Sequence, residues 1–143
     1  MEIFRVKDEL WMKAAVYAIR TEADVFGLGS SLQGDFKEDT DSSRYVLITE
    51  GIYPVSTCRI NVLNSDTAKI ERVATHPKFQ GKNYGREVIL AAEKWLKEEG
   101  ISKIYINSRV AVVGFYEKLG YQSDPSSVTG EGTFQCVMTY KEI

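Results

Sequence analysis

A mixed α/β domain built on one central sheet is the fold class this sequence predicts, and three observations carry it. Three strand-like runs follow one another between residues 45 and 75, separated by short turns. Two amphipathic helices follow strand-like runs, and an alternating apolar stretch closes the chain. Helices that follow strands make parallel crossovers, whereas runs joined by tight turns pair antiparallel, so both kinds of pairing are expected in one sheet.

Taken in order, Ile3 to Val6 reads as a short strand. Asp8 offers an N-cap to a helix whose apolar positions Met12, Ala15, Val16 and Ile19 follow helical spacing. Gly27 to Ser43 turns to Gly, Ser and Asp, yet the apolar anchors Phe26, Leu28, Leu32 and Phe36 are spaced along it, which predicts a structured loop or broken helix.

Tyr45 to Glu50 and Val55 to Leu63 read as a hairpin turning near Gly51 and Pro54, with Cys58, Ile60 and Val62 alternating with Thr57, Arg59 and Asn61. Asn64-Ser65-Asp66 makes the next turn, and Lys69 to Thr75 the third strand of the meander. Arg86 to Glu99 is the clearest helix: Val88, Ile89, Ala92, Trp95 and Leu96 form one stripe, and Gly100 stops it. Ile104 to Ile106 is β-rich, a helix runs across Val112, Phe115, Tyr116 and Leu119 to Gly120, Gln122 to Gly132 reads as a loop, and Phe134 to Tyr140 alternates as a half-buried closing strand.

The 143 residues suit one domain, 1–143, with an apolar share of 43% and a charged share of 27%, both ordinary for a globular protein. A net charge of −2 gives no general field for a polyanion, so nucleic acid is not an expected partner. No apolar run approaches the length of a membrane span and the N-terminus lacks signal-peptide regions, so no membrane partner and a cytoplasmic location are expected. Cys58 and Cys136 lack CxxC spacing and read as buried thiols. With His76 the only histidine, and placed in a turn before Pro77, no metal site is expected.

The chemistry concentrates between Ile70 and Arg86, where a strand enters a glycine-containing turn that opens into a helix. The first amides of a helix lack intrahelical acceptors and carry partial positive charge, so such a terminus can bind a phosphate or pyrophosphate. Gly81 and Gly85 allow close backbone approach, and Lys82 and Arg86 add charge. It is not a P-loop: His76 stands where the first glycine would be, and Asn83 follows the lysine. Gly27-Leu28-Gly29-Ser30-Ser31-Leu32 follows a helix and ends in Leu32, so it is not a dinucleotide fingerprint either.

Gln80-Gly81-Lys82-Asn83-Tyr84-Gly85 resembles the [QR]-x-x-G-x-[GA] pyrophosphate loop of GNAT acetyltransferases. Phe115-Tyr116-Glu117-Lys118-Leu119-Gly120-Tyr121 is very similar to the FYEKLGF segment of the same family. Together the two blocks span residues 69 to 121. The resemblance implies a mixed, mostly antiparallel sheet with a splayed parallel strand pair and flanking helices. It implies acetyl-coenzyme A as co-substrate, held by backbone groups of Val73, Ala74 and Thr75 and by the turn Gln80, Gly81, Lys82, Asn83, Tyr84, Gly85 and Arg86. Asn107 is the polar candidate near the coenzyme on the following strand, since Val110 stands where many relatives carry Asn. Asn83 departs from the usual glycine, and Asn tolerates left-handed geometry better than most residues.

The same resemblance assigns Tyr116 as the acid facing the coenzyme sulfur and Glu71 as the base that takes the proton of an attacking amine. From the residues alone, Tyr116 reads also as a core ring and Glu71 as a paired or solvated strand carboxylate next to Arg72. The expected partner is a small-molecule or peptide amine, and the resemblance also admits a homodimer. Asp35, Glu38, Asp39 and Asp41 make the first loop acidic, a composition read as a solvated charge run that would also suit a cationic amine. Two rival readings are a non-catalytic acyl-coenzyme A binding module and a phosphate-ester or nucleotide-binding domain.

Overall fold

Seven strands form one sheet in a computed structural model that describes residues 1–143, in the spatial order β1-β2-β3-β4-β5-β7-β6. β1 (Glu2–Val6), β2 (Arg44–Glu50), β3 (Tyr53–Val62) and β4 (Thr67–Thr75) pair antiparallel; β4 and β5 (Lys103–Arg109) run parallel; β7 (Cys136–Glu142) inserts antiparallel between β5 and β6 (Gln122–Thr129). The mixed, mostly antiparallel sheet with one parallel pair is the fold the sequence predicts.

Helices cover both faces. α1 (Leu10–Arg20) packs Val16 and Ile19 against Val6, Tyr45, Leu47 and Ala74 on one side. α3 (Tyr84–Glu98) packs Val88, Ile89, Ala92, Trp95 and Leu96 against Val46, Ile48, Cys58, Ile60 and Ile70 on the other. β2 is therefore buried on both faces from Tyr45 to Thr49, which explains its continuous apolar run. Each fully buried aliphatic side chain in these layers contributes roughly 1.5–3 kcal/mol. α3 ends as its glycine predicts: Gly100 is left-handed (φ 89°), its N–H donates to Lys97 O and that of Ile101 to Leu96 O. No helix is long and apolar enough to cross a membrane.

Several elements differ from expectation. The cap position of α1 is Glu9, not Asp8, and its side chain makes no capping bond. After Arg20 the helix widens into a π-helical turn, Thr21–Phe26, and a short α2 (Leu32–Phe36) is capped by Ser31, whose hydroxyl accepts from Gly34 N at 2.9 Å. The 27–43 segment is thus a broken helix. Residues 122–129, expected as loop, form the edge strand β6. It is polar, contains Pro125 and is interrupted between Asp124 and Thr129, so it carries none of the alternation that marks a half-buried strand. β7 starts at Cys136, because Gly132–Phe134 folds as a 3-10 turn. The helix before Gly120 is short: Val110–Val112 is a 3-10 turn and α4 spans Val113–Glu117. Cys58 is fully buried as expected, whereas Cys136 is only half-buried.

Candidate functional site

The parallel ladder between β4 and β5 lasts three residue pairs, Thr67 with Lys103, Ala68 with Ile104 and Lys69 with Tyr105. Beyond Lys69 the strands separate. The cause lies on β4: between the pairs Arg59–Glu71 and Thr57–Ala74, two residues, Arg72 and Val73, oppose the single residue Cys58. This bulge shifts the alternation by one. Ala68 and Ile70 face the α3 layer, and after the bulge Val73 packs there while Ala74 turns to the α1 layer. Arg72 holds a left-handed φ of 50°, which costs a non-glycine residue about 1–2 kcal/mol.

The wedge so opened is a cleft of about 450 Å³. Glu71, Val73, Asn107 and Tyr116, four of the residues expected from sequence, line it together. Tyr116 also packs its ring in the α3 layer, as the core reading of that residue expects. Burial above all, with Cys58 beside it, raises the Tyr116 hydroxyl's pKa, so the phenol stays protonated at neutral pH. Cys58 itself is pushed up to about 12 by burial and is inert as a thiolate. Glu71 is paired: its Oε2 accepts from Arg59 Nη2 at 2.6 Å and Nε at 2.9 Å, and its Oε1 from Asn61 Nδ2 at 3.3 Å.

The expected phosphate turn lies outside this cleft, at the end of the same strand. His76 accepts on Nδ1 from Lys78 N, capping a 3-10 turn at Pro77–Phe79. Gln80 reaches back to donate its side-chain amide to Thr75 O at 3.2 Å, and the Thr75 hydroxyl shares a hydrogen bond with Ser56 at 2.9 Å. Gly81 (φ 78°) and Asn83 (φ 68°) are both left-handed, and Asn83 occupies the cap position of α3 without a side-chain capping bond. The first amides of α3 therefore have no side-chain acceptor from the cap. Lys82 is exposed, and the Arg86 side chain is 55% exposed and stands 3.7 Å from the carboxylate of Glu87 in a loose ion pair. Ala74 is buried in the α1 layer, so only its backbone can serve a ligand.

The acidic loop is only in part a solvated charge run, with Glu38 and Asp41 exposed. Asp35 and Asp39 are folded inward against Arg20, which is fully buried. Arg20 Nε donates to Asp35 Oδ2 at 3.2 Å, and its two terminal nitrogens to Asp39 at 2.6 and 2.9 Å. Arg59 Nη1 donates to Asp39 at 2.7 Å, and the Tyr45 hydroxyl donates to the same carboxylate. Burial alone would raise the Asp39 pKa, but these bonds outweigh it and hold the carboxyl below its ordinary range. Burial likewise opposes the charge on Arg20, and Asp39 and Asp35 reverse that effect and raise its pKa. The network bridges α1, α2, β3 and β4 and forms one wall of the cleft. Sequence reasoning missed Asp24, Arg59 and Arg72 as cleft residues. The available signal was Arg20 at helical spacing from Val16 and Arg59 among apolar strand neighbours, both charges at inward positions.

A parallel pair splayed by a bulge, followed by a left-handed turn into a helix, defines the acyl-coenzyme A N-acyltransferase fold. The sequence profile of the Acetyltransferase (GNAT) family matches residues 13–121, and the chain belongs to that family. It is 27% identical over 145 residues to a Bacillus subtilis (strain 168) protein described as an acetyltransferase, covering 99% of this chain and 97% of the relative. A Lactobacillus plantarum crystal structure described as an N-acetyltransferase superimposes with a TM-score of 0.90 at 26% identity, covering 99% of this chain and 97% of the other. The PaiA N-acetyltransferase of Thermoplasma acidophilum, solved in complex with coenzyme A, shares the fold with a TM-score of 0.76 at 14% identity and full coverage of both chains.

Proposed function

We propose that this chain is an acetyl-coenzyme A-dependent N-acetyltransferase that acts on a primary amine of a small molecule or peptide. The observation that carries the reading is the edge of β4. From Ile70 to Thr75 it has no partner on its β5 side, and it leads directly into the left-handed turn at the start of α3. An unpaired strand edge takes an extended amide-bearing chain by backbone pairing, and a helix start takes a diphosphate. Val73, Ala74 and Thr75 supply the first, and Gln80 to Arg86 the second. The residues present fit the group.

When bound, acetyl-coenzyme A supplies an acetyl thioester with a thiolate leaving group. A main-chain N–H of the Arg72–Val73 bulge is the donor for the carbonyl oxygen, since a bulge frees backbone groups from the ladder. Tyr116, protonated at neutral pH as phenols ordinarily are, gives its proton to the departing sulfur. Glu71 takes the proton lost by the amine, through water, because both its oxygens already carry donors. Asn107 orients the coenzyme from β5.

The test is calorimetry with coenzyme A followed by turnover of acetyl-coenzyme A against amino sugars, diamines, amino acids and lysine peptides. Heat of binding together with release of free thiol is expected. Binding without turnover on any amine replaces the enzyme with a non-catalytic acyl-coenzyme A module, and no binding at saturating coenzyme A removes both.

A further inference from the structure

The chain carries one of its own primary amines to the closed end of the cleft. β4 and β5 part after the pair Lys69–Tyr105, so Lys69 is the last paired residue on β4 and stands at the apex of the wedge. It is the only lysine that lines the cleft, and it shares that space with Glu71, Val73 and Tyr116. Lys69 is half-buried. No carboxylate pairs with its ammonium, because the nearest one along the strand, Glu71, is held by Arg59 and Asn61 instead.

Register puts this amine on the side of the base. Side chains alternate along a strand, so Lys69 and Glu71 project from one face of β4, roughly 7 Å apart along it. Their β3 partners Asn61 and Arg59 share that face, while Ala68 and Ile70 point into the α3 layer. A lysine's flexible four-carbon stem can carry its nitrogen along the strand toward the base. The diphosphate seat at Gln80 to Arg86 follows the C-terminal end of β4, so the arm of the coenzyme runs back from Thr75 toward Ile70. Its thioester end then meets the apex where Lys69 stands. A nucleophile tethered at such a place needs no diffusional encounter, and well-oriented intramolecular groups reach effective molarities of about 10⁵–10⁸ M.

We propose that Lys69 is a self-acetylation site: when no external amine occupies the cleft, the acetyl group of bound acetyl-coenzyme A passes to Lys69 Nζ of the same chain. Lys69 first gives one proton to Glu71 through water, and that proton goes on to solvent. Nζ then bonds to the carbonyl carbon as the carbon–sulfur bond breaks, and the sulfur takes the Tyr116 proton. The proton shed as the amide forms replaces the one Tyr116 gave. The products are free coenzyme A, one released proton and acetyl-Lys69, a neutral side chain that fills the apex. The proposal rests on the N-acetyltransferase reading of the same cleft.

The experiment incubates the purified protein with acetyl-coenzyme A and no added amine, and follows each lysine by peptide mass spectrometry. Lys69 should gain its acetyl group about tenfold or more faster than the exposed Lys94 and Lys97 of α3, which report uncatalysed reaction with the thioester. The rate per chain should not change when the protein is diluted, as a reaction within one chain requires. Tyr116→Phe should slow Lys69 about 10²-fold or more and leave Lys94 and Lys97 as they were. As a readout independent of turnover, saturating coenzyme A should shield Lys69, but not Lys94, from acetic anhydride. Acetylation of Lys69 no faster than that of Lys94, a rate that rises with protein concentration, or no shielding by bound coenzyme A overturns the site. The two readings fail separately. Turnover of an external amine with Lys69 left unmodified keeps the enzyme and removes the self-acetylation site, whereas catalysed formation of acetyl-Lys69 in a chain that acetylates no external amine keeps the site and removes the external acceptor.

Discussion

The ring of Phe115 comes within 3.3 Å of the point where a β-carbon would stand on Gly85. The two residues belong to the two sequence blocks that resemble the family, and the contact locks the start of α3 to α4. It also fixes the phosphate turn relative to Tyr116, the next residue in the chain.

Alanine at position 85 is therefore expected to push the half-exposed Phe115 ring by a few tenths of an ångström. The cost should be about 1 kcal/mol or less, since Phe115 can move toward solvent. Valine, with two more methyl groups, should cost more and lower coenzyme A affinity by displacing the turn. Urea denaturation and calorimetry on Gly85→Ala and Gly85→Val measure both effects.

Asn83 holds a left-handed conformation that glycine adopts freely and a β-branched residue resists. Asn83→Gly should keep or tighten coenzyme A binding with little change in stability. Asn83→Val should lose about 1–2 kcal/mol of stability and weaken binding. A Val variant as stable as the wild type would show that the turn can rearrange.

Removal of the Tyr116 hydroxyl should lower kcat about 10²–10⁴-fold, the usual range for a general acid, while KM for acetyl-coenzyme A stays nearly constant. The ring remains to fill the α3 layer, so the melting temperature should hardly move. Glu71→Gln should lower kcat less, because that carboxylate works through water. It should also destabilise the fold, because Arg59 loses a charged partner. Full turnover by Tyr116→Phe excludes the assigned role.

The pH dependence of stability should report Asp24. Its folded pKa of about 7 lies above the ordinary value of 3.8, so between about pH 4 and pH 7 the native chain holds a proton that the unfolded chain has released. Stability contributed by this group is full at low pH, falls as pH rises through that window and levels off above it. Asp39 acts oppositely: its lowered pKa adds stability above the ordinary carboxylate range that is lost in stronger acid. In Asp24→Asn the decline toward neutral pH should flatten, as read by urea midpoints from pH 5 to pH 8.

Arg20→Met should be the most damaging of these changes. It leaves Asp35 and Asp39 buried without their main counter-charge, a loss of about 3–5 kcal/mol. Lowering the pH should recover part of that loss by protonating the stranded carboxylates, which a melting curve at pH 5 against pH 7.5 would show.

Much of the fold was legible because periodicity survives where one face is buried. The stripe of α3 is read correctly from the chain, whereas in β3 Thr57 and Arg59 are buried along with Cys58 and Ile60 and Val62 is exposed, because helices cover both faces of the sheet there. β6 escaped because an edge strand of Ser, Asp and Pro has no buried face to impose a pattern. The bulge at Arg72–Val73 was equally silent, since no glycine marks it and its left-handed residue is an arginine. At the site, Glu71, Val73, Asn107 and Tyr116 could be assembled from motif and position. The Asp24–Asp35–Arg20–Asp39 wall could not, because residues on a broken helix reveal inward charges only after the break has been folded.

The three residue pairs that join β4 to β5 are also the whole seam between the four-stranded and three-stranded parts of the sheet. Such a joint is weak in one direction, like an arch before its keystone is set. A chain-like guest laid along the free side of β4 would bridge the gap and stiffen the arch. Those backbone amides between Ile70 and Thr75 that point away from β3 should then exchange with deuterium far more slowly once the guest is seated, while those in the middle of β2, already paired on both sides, should be unaffected.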